Sequence, residues 1–166
     1  MMFLVLMIGA TMTELSVAST QTPTLTSCST AQQVKLSNVA ITNARLGQTM
    51  TLNFTVNITT TLNSSPQLKV TMTTSYGLQI PCIEEVAGSC TYDLCGGTSD
   101  VEQGLGSRWN NTCPITPNSY TESLTAALPT DIRFLLGNGN VKIKLNILNG
   151  GQSVGCQQFT VSIQIN

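Results

Sequence analysis

From Met50 to Thr59 the chain alternates without a break. Met50, Leu52, Phe54, Val56 and Ile58 occupy one parity, and Thr51, Asn53, Thr55, Asn57 and Thr59 the other. Successive side chains of a strand point to opposite faces, so this run predicts a strand with one apolar face toward a core and one polar face toward water. The pattern recurs in Leu68, Val70 and Met72, after the Ser-Ser-Pro turn at 64–66. It recurs again in Val141, Ile143, Leu145 and Ile147, which interleave with Lys142, Lys144 and Asn146, and in Phe159, Val161, Ile163 and Ile165. Asn149-Gly150-Gly151 between the last two runs suits a hairpin turn. A shorter piece with Leu78 and Ile80 ends at Pro81, which cannot donate to a ladder. Further strands are expected over 34–41 and 120–127. Cys156 falls out of phase with the Phe159 set, which predicts a twist or bulge near Gln157. No segment carries a helical stripe, and 84–94 has room for one helical turn at most. About seven strands at this spacing predict an all-β fold, an antiparallel Ig-like β-sandwich. There is no internal repeat or interdomain linker.

The first residues read as a processing signal. Met2 to Ala10 is a short apolar run, followed by Ser16-Val17-Ala18 with small residues at the positions a signal peptidase reads. A membrane-spanning helix needs ~20 apolar residues, about twice this run. The expectation is a signal peptide over 1–18 and one domain over 19–166, with a strand-like C-terminus and no hydrophobic tail for a lipid anchor. Export gives the six cysteines a meaning, because an even number in an oxidising compartment predicts disulfides. Spacing alone leaves their pairing open. A metal cluster is a poor fit, since there is no CxxC pair and no histidine in the chain. Neither metal nor cofactor is expected. Asn53, Asn57, Asn63 and Asn110 each begin an N-glycosylation sequon, and the first two fall on the polar face of the alternating strand.

Charge and composition narrow the function. Seven Lys and Arg against eight Asp and Glu provide no basic footprint for nucleic acid. The missing histidine removes Ser-His-Asp and Cys-His chemistry. The segment 82–113 breaks the strand rhythm and holds Cys82, Cys90, Cys95 and Cys113 together with Glu84, Glu85, Asp93, Asp100 and Glu102. Glu84 and Glu85 could pair as acid and base in glycoside hydrolysis. Adjacent residues on an extended segment point in opposite directions, however, so a solvated acidic loop is the better account. Gly104-Leu105-Gly106 lacks the Lys-Ser/Thr that completes a phosphate loop. The chain is read as non-catalytic.

Within and around that segment lie Leu68-Lys69-Val70, Ile80-Pro81-Cys82, Gly88-Ser89-Cys90-Thr91-Tyr92 and Cys95. Further on come Cys113-Pro114-Ile115, Tyr120, Leu128-Pro129 and Gly155-Cys156. Together these resemble the ganglioside GM2 activator-like branch of the MD-2-related lipid-recognition (ML) domain family, over most of 28–166. The resemblance implies a β-cup whose two sheets stand apart around an apolar cavity for lipid chains. It also implies the disulfides Cys28–Cys156, Cys82–Cys90 and Cys95–Cys113. Three departures stand out: a further disulfide of that branch is missing, the loop between Cys95 and Cys113 is shorter, and a tryptophan-bearing segment is trimmed to Tyr76-Gly77-Leu78-Gln79. All three fall on surfaces that in the family touch membrane, headgroup and partner enzyme, so general lipid binding is implied more firmly than ganglioside activation.

The expected cavity lining is Leu52, Phe54, Val56, Val70, Met72, Ile80, Ile143, Leu145 and Val161. The expected mouth is the apolar run Ile132, Phe134, Leu135 and Leu136, with Leu105 and Trp109 on the opposite lip. The implied function is a secreted, extracellular or lysosomal lipid-binding and lipid-transfer protein that extracts and presents a glycolipid or related lipid as a sphingolipid activator for a glycosidase. Its partners would be a lipid ligand (glycosphingolipid, phospholipid or fatty acyl chain), a transiently touched membrane surface and a lysosomal hexosaminidase-like glycosidase. The alternative is a secreted lipid- or sterol-binding recognition module in innate immunity or chemical signalling, without an enzyme partner.

Overall fold

The computed structural model of the chain describes residues 19–165, so the expected signal peptide over 1–18 lies outside the described residues. Nine strands form two antiparallel sheets: β1 (Thr20–Gln21), β2 (Thr26–Gln32), β3 (Val34–Thr42), β4 (Thr49–Ile58), β5 (Gln67–Thr74), β6 (Thr91–Asp93), β7 (Asn118–Ala127), β8 (Asn140–Asn149) and β9 (Gln152–Ser162). One sheet runs in the order β1-β3-β4-β7 and the other β2-β9-β8-β5-β6. The sandwich core is built from the inward parities of both sheets, Phe54, Val56 and Ile58 facing Val70, Ile143, Leu145 and Val161 among others. In β3 the buried parity changes from Val34 and Leu36 to Val39 and Ile41. A register shift between Ser37 and Ala40, with Asn38 at positive φ, supplies the extra residue that keeps both pairs inside.

Several expectations need correction. The bulge in the β8–β9 ladder lies at Val154, between the pairs Ile147–Gly155 and Leu148–Ser153, and pairing runs unbroken through Gln157. Cys156 is out of phase because it belongs to the outer face, opposite Asn146, where it bonds Cys28 on the neighbouring strand. The segment 84–94 contains β6 instead of a helical turn. The helix is α1 (Asp100–Gly106), started by a capping box: the Ser99 hydroxyl accepts from the Glu102 N–H and the Glu102 carboxylate accepts from the Ser99 N–H. Its two glycines make it a weak helix former, which hid it from periodicity. Leu78 and Ile80 do not form a strand; the segment is tied to β5 by Ile80 N–H donating to the Met72 carbonyl (2.9 Å) and by a single Thr73–Gln79 bridge. β1 and β2 carry no alternation and were not legible.

The two sheets are pinched together along one side. Gly155 of β9 lies so close to β3 that a Cβ there would sit 2.1 Å from the Val34 carbonyl oxygen, which only glycine permits. Beside it the Gln157 side chain acts as a short strand: its Oε1 accepts from the Leu36 N–H and its Nε2 donates to the Leu36 carbonyl (3.2 Å). The opposite side, between β7 and β5–β6, has no such contact among the described residues. It is spanned by α1, by the segment 79–90 and by the turn that holds α2 (Arg133–Leu136).

Candidate lipid-binding cavity

Pinching one side and propping the other leaves a hollow of about 130 Å³ between the sheets. Its lining is apolar apart from the Thr125 hydroxyl and the Tyr92 phenol. Leu52, Phe54, Val70, Met72, Ile143, Leu145 and Val161 line it. Ile80 lines a smaller adjoining hollow of about 40 Å³ that shares Met50, Met72, Val86, Ala126, Ile143 and Val161 with the first. Val56 lines neither; it is buried in the core, paired with Tyr120 toward the far end of β4. The hollow reaches the surface between β7 and the segment 79–90, where Val86 and Thr125 are exposed and Val101, Leu124 and Ala126 half-buried.

The residues expected at the mouth separate. Leu105, Ile132 and Leu136 are buried, Leu105 as a wall of the main hollow and the other two as walls of the smaller one. Trp109 is half-buried and held in the fold: its Nε1–H donates to the Leu94 carbonyl (2.6 Å) and its ring stands edge-on to Tyr120 at 5.3 Å. These four do not form an exposed lip, because short helical turns alternate sides faster than a linear apolar run suggests. Leu135 is half-buried, whereas Phe134 is 82% exposed. Sequence reasoning missed its companions Tyr76, 77% exposed, and Leu78. Tyr76 lies against Gly137, at the end of α2, and the Ser75 hydroxyl donates to Asn138 Oδ1 (2.9 Å). The turns 75–78 and 133–139 thus sit side by side at one end of the cup, next to the smaller hollow.

Three titratable groups frame the site. Tyr92 on β6 is buried, and desolvation, then the carboxylates of Glu102 and Glu85, push its phenol up to about 12, so it remains a neutral donor. The Glu102 pKa is lowered because its carboxylate accepts from the N–H groups of Asp93, Ser99 and Thr98 and from the Ser99 hydroxyl. Glu122, on the inward parity of β7 opposite Phe54, is buried, and its Oε1 accepts no hydrogen bond among the described residues. Burial raises its pKa, opposed by the Arg108 guanidinium at 3.8 Å and by the Ser107 hydroxyl. Glu84 and Glu85 are both exposed at positive φ in a turn. The sequons place Asn53 and Asn57 on the outer face of β4, the Asn57 amide donating to the Ser37 hydroxyl (3.2 Å), and Asn63 and Asn110 in exposed turns. Disulfides join Cys28–Cys156, Cys82–Cys90 and Cys95–Cys113. The last two brace the 79–90 segment and the α1 loop, both of which contribute to the wall.

Two antiparallel sheets closed along one side and held apart along the other around an apolar hollow define an Ig-like β-cup. The ML domain pattern matches residues 23–163, and the chain belongs to the ML domain family, a class of non-catalytic lipid-binding domains. Among solved structures it is similar to a Niemann-Pick type C2 protein from the Japanese carpenter ant, at 10% identity and a TM-score of 0.55, covering 85% of this chain and 99% of that one. A weaker likeness, to the C-terminal domain of wzt, has 9% identity and a TM-score of 0.46 over 86% of this chain and 78% of that one. No curated protein gives a significant sequence match.

Proposed function

We propose that this protein is a lipid carrier that docks its Tyr76–Leu78–Phe134 end on a bilayer, takes one lipid into the cup and releases it elsewhere. The observation that carries this reading is the continuity of three features: an apolar cavity, an adjoining apolar hollow and an exposed apolar end. Exposed large apolar residues grouped at one end mark an interaction surface. Each methylene moved from water into the cavity gains ~0.8 kcal/mol, but a chain leaving a bilayer trades one apolar medium for another, so loading is reversible. The resemblance of the cysteine block to ganglioside activators supports a finer role, presenting a glycolipid headgroup to a glycosidase at a membrane. The three disulfides and the sequons support a secreted or lysosomal location, with glycans on Asn53 or Asn57 standing off the outer face of β4. Among the described residues no helix is long and apolar enough to cross a membrane. Organic extraction of the purified secreted protein followed by mass analysis tests the reading: a co-purified lipid at near one per molecule is expected. A chain free of lipid that also fails to accept any lipid from vesicles overturns it.

A further inference from the structure

The buried part of the cavity wall carries a polar side chain with no hydrogen-bond partner among the described residues. Tyr92 is 5% exposed and lines the main hollow, yet its hydroxyl makes no hydrogen bond among the described residues. A buried tyrosine usually satisfies its O–H. Tyr120, by contrast, donates to the Thr116 carbonyl at 2.9 Å. The charges felt by the Tyr92 phenol are those of Glu102 and Glu85; Lys69, opposite Thr91 on β5, is exposed on the outer face of the sheet. Glu102 binds the N–H of Asp93, the next residue along β6, at 2.8 Å. Glu85 adjoins Val86 and Glu102 adjoins Val101, both of which line the cavity. No Lys or Arg lines it. The hollow is also small. At about 130 Å³ it is near the roughly 150 Å³ of an engineered core cavity that holds benzene. That suits one hydrocarbon chain laid along the gap between the sheets better than a fused-ring skeleton.

We infer that Tyr92 is the specificity-determining group of the cavity: its hydroxyl binds the polar end of a single-chain lipid, and with Glu85 and Glu102 beside it the site takes neutral or cationic ends and turns away fatty-acid anions. The inference deepens the lipid-carrier reading and rests on it. A neutral alcohol, amide or ester oxygen accepts from the phenol, which stays protonated. A carboxylate would accept the same bond but would bring a third negative charge near Glu102 and Glu85, at the edge of an apolar cavity. An ammonium end is attracted by the same two groups.

The test is isothermal titration calorimetry with decanol, decylamine and decanoate, all of one chain length, and with cholesterol as the ring-system control. Decanol and decylamine are expected to bind at least tenfold more tightly than decanoate, and cholesterol not to bind. Tyr92→Phe should weaken decanol about fivefold, the scale of one lost hydrogen bond, with Tm unchanged. Glu85→Gln should improve decanoate several-fold and leave decanol unaffected. Decanoate binding as tightly as decanol, or a Tyr92→Phe protein that binds decanol normally, overturns the inference while leaving the carrier reading intact. Binding of cholesterol overturns the single-chain assignment. A protein that binds none of the four overturns both readings.

Discussion

At the scale of single residues, Glu122 is the carboxylate among the buried side chains of the described residues. Its parity on β7 places it opposite Phe54, with Oε1 lacking a hydrogen bond among the described residues and facing Arg108 Nε only at ion-pair distance, 3.8 Å. A carboxyl whose pKa is raised in the folded state binds its proton more tightly there. Its contribution is therefore fully present below about pH 4, the ordinary Glu range, and is lost as pH rises through the raised value. Glu122→Gln should gain about 1 kcal/mol of stability at pH 7 to 8, the scale of relieving one unsatisfied buried group, and nothing near pH 4. Urea unfolding at the two pH values measures it. An equal gain at both would mean that the carboxylate is not desolvated. This residue also shows where the sequence stopped short: Tyr120, Leu124 and Ala126 alternate, and a glutamate on the same parity hides both the strand's inner face and its part in the cavity wall.

At the scale of elements, strands with clean period-two runs were legible almost to their ends. β4, β5, β8 and β9 needed only alternation and turn residues. The short pieces were not, because their reasons are tertiary. β1 and β2 are polar edge strands held by their neighbours. α1 holds through its cap, where Glu102 gathers four donors from Asp93, Thr98 and Ser99 and ties the helix to β6. Glu102 has the opposite sign to Glu122. Its pKa is lowered in the fold, so its stabilisation is present above about pH 4 and disappears as pH falls through the lowered value. Glu102→Gln should cost about 1 kcal/mol at pH 7 and nothing at a pH where both forms are protonated. Because α1 supplies Val101 and Leu105 to the wall, the same variant should loosen lipid retention at pH 7, read as faster release of a fluorescent lipid.

At the scale of the molecule, the Cys28–Cys156 bond ties the start of the fold to its last strand. It spans 128 residues against 8 for Cys82–Cys90. In the chain-entropy model the longer loop is worth about 2 kcal/mol more. Removing Cys28–Cys156 as a paired Ser variant should lower Tm more than removing Cys82–Cys90. The reverse order would show that the short bridge acts mainly by holding the native 79–90 segment. Docking also belongs to this scale. Tyr76→Ser with Phe134→Ser removes the two most exposed large apolar side chains and should slow lipid transfer from vesicles severalfold, with Tm shifted by no more than a degree or two. Unchanged transfer would remove this end from the membrane.

Sequence by itself determined the sheets, the inward parity of most cavity residues, the even set of cysteines and the absence of histidine chemistry, since each follows from side-chain type and a spacing of two along the chain. Only the tertiary structure decided which side of the sandwich shuts, through Gly155 against Val34 and Gln157 against Leu36. It alone decided that Tyr92 lines the cavity within reach of the charges of Glu102 and Glu85, and that Phe134 is exposed while Leu136 is buried. Such relations join residues far apart in the chain, and a local periodicity holds no information about which distant backbone will stand opposite.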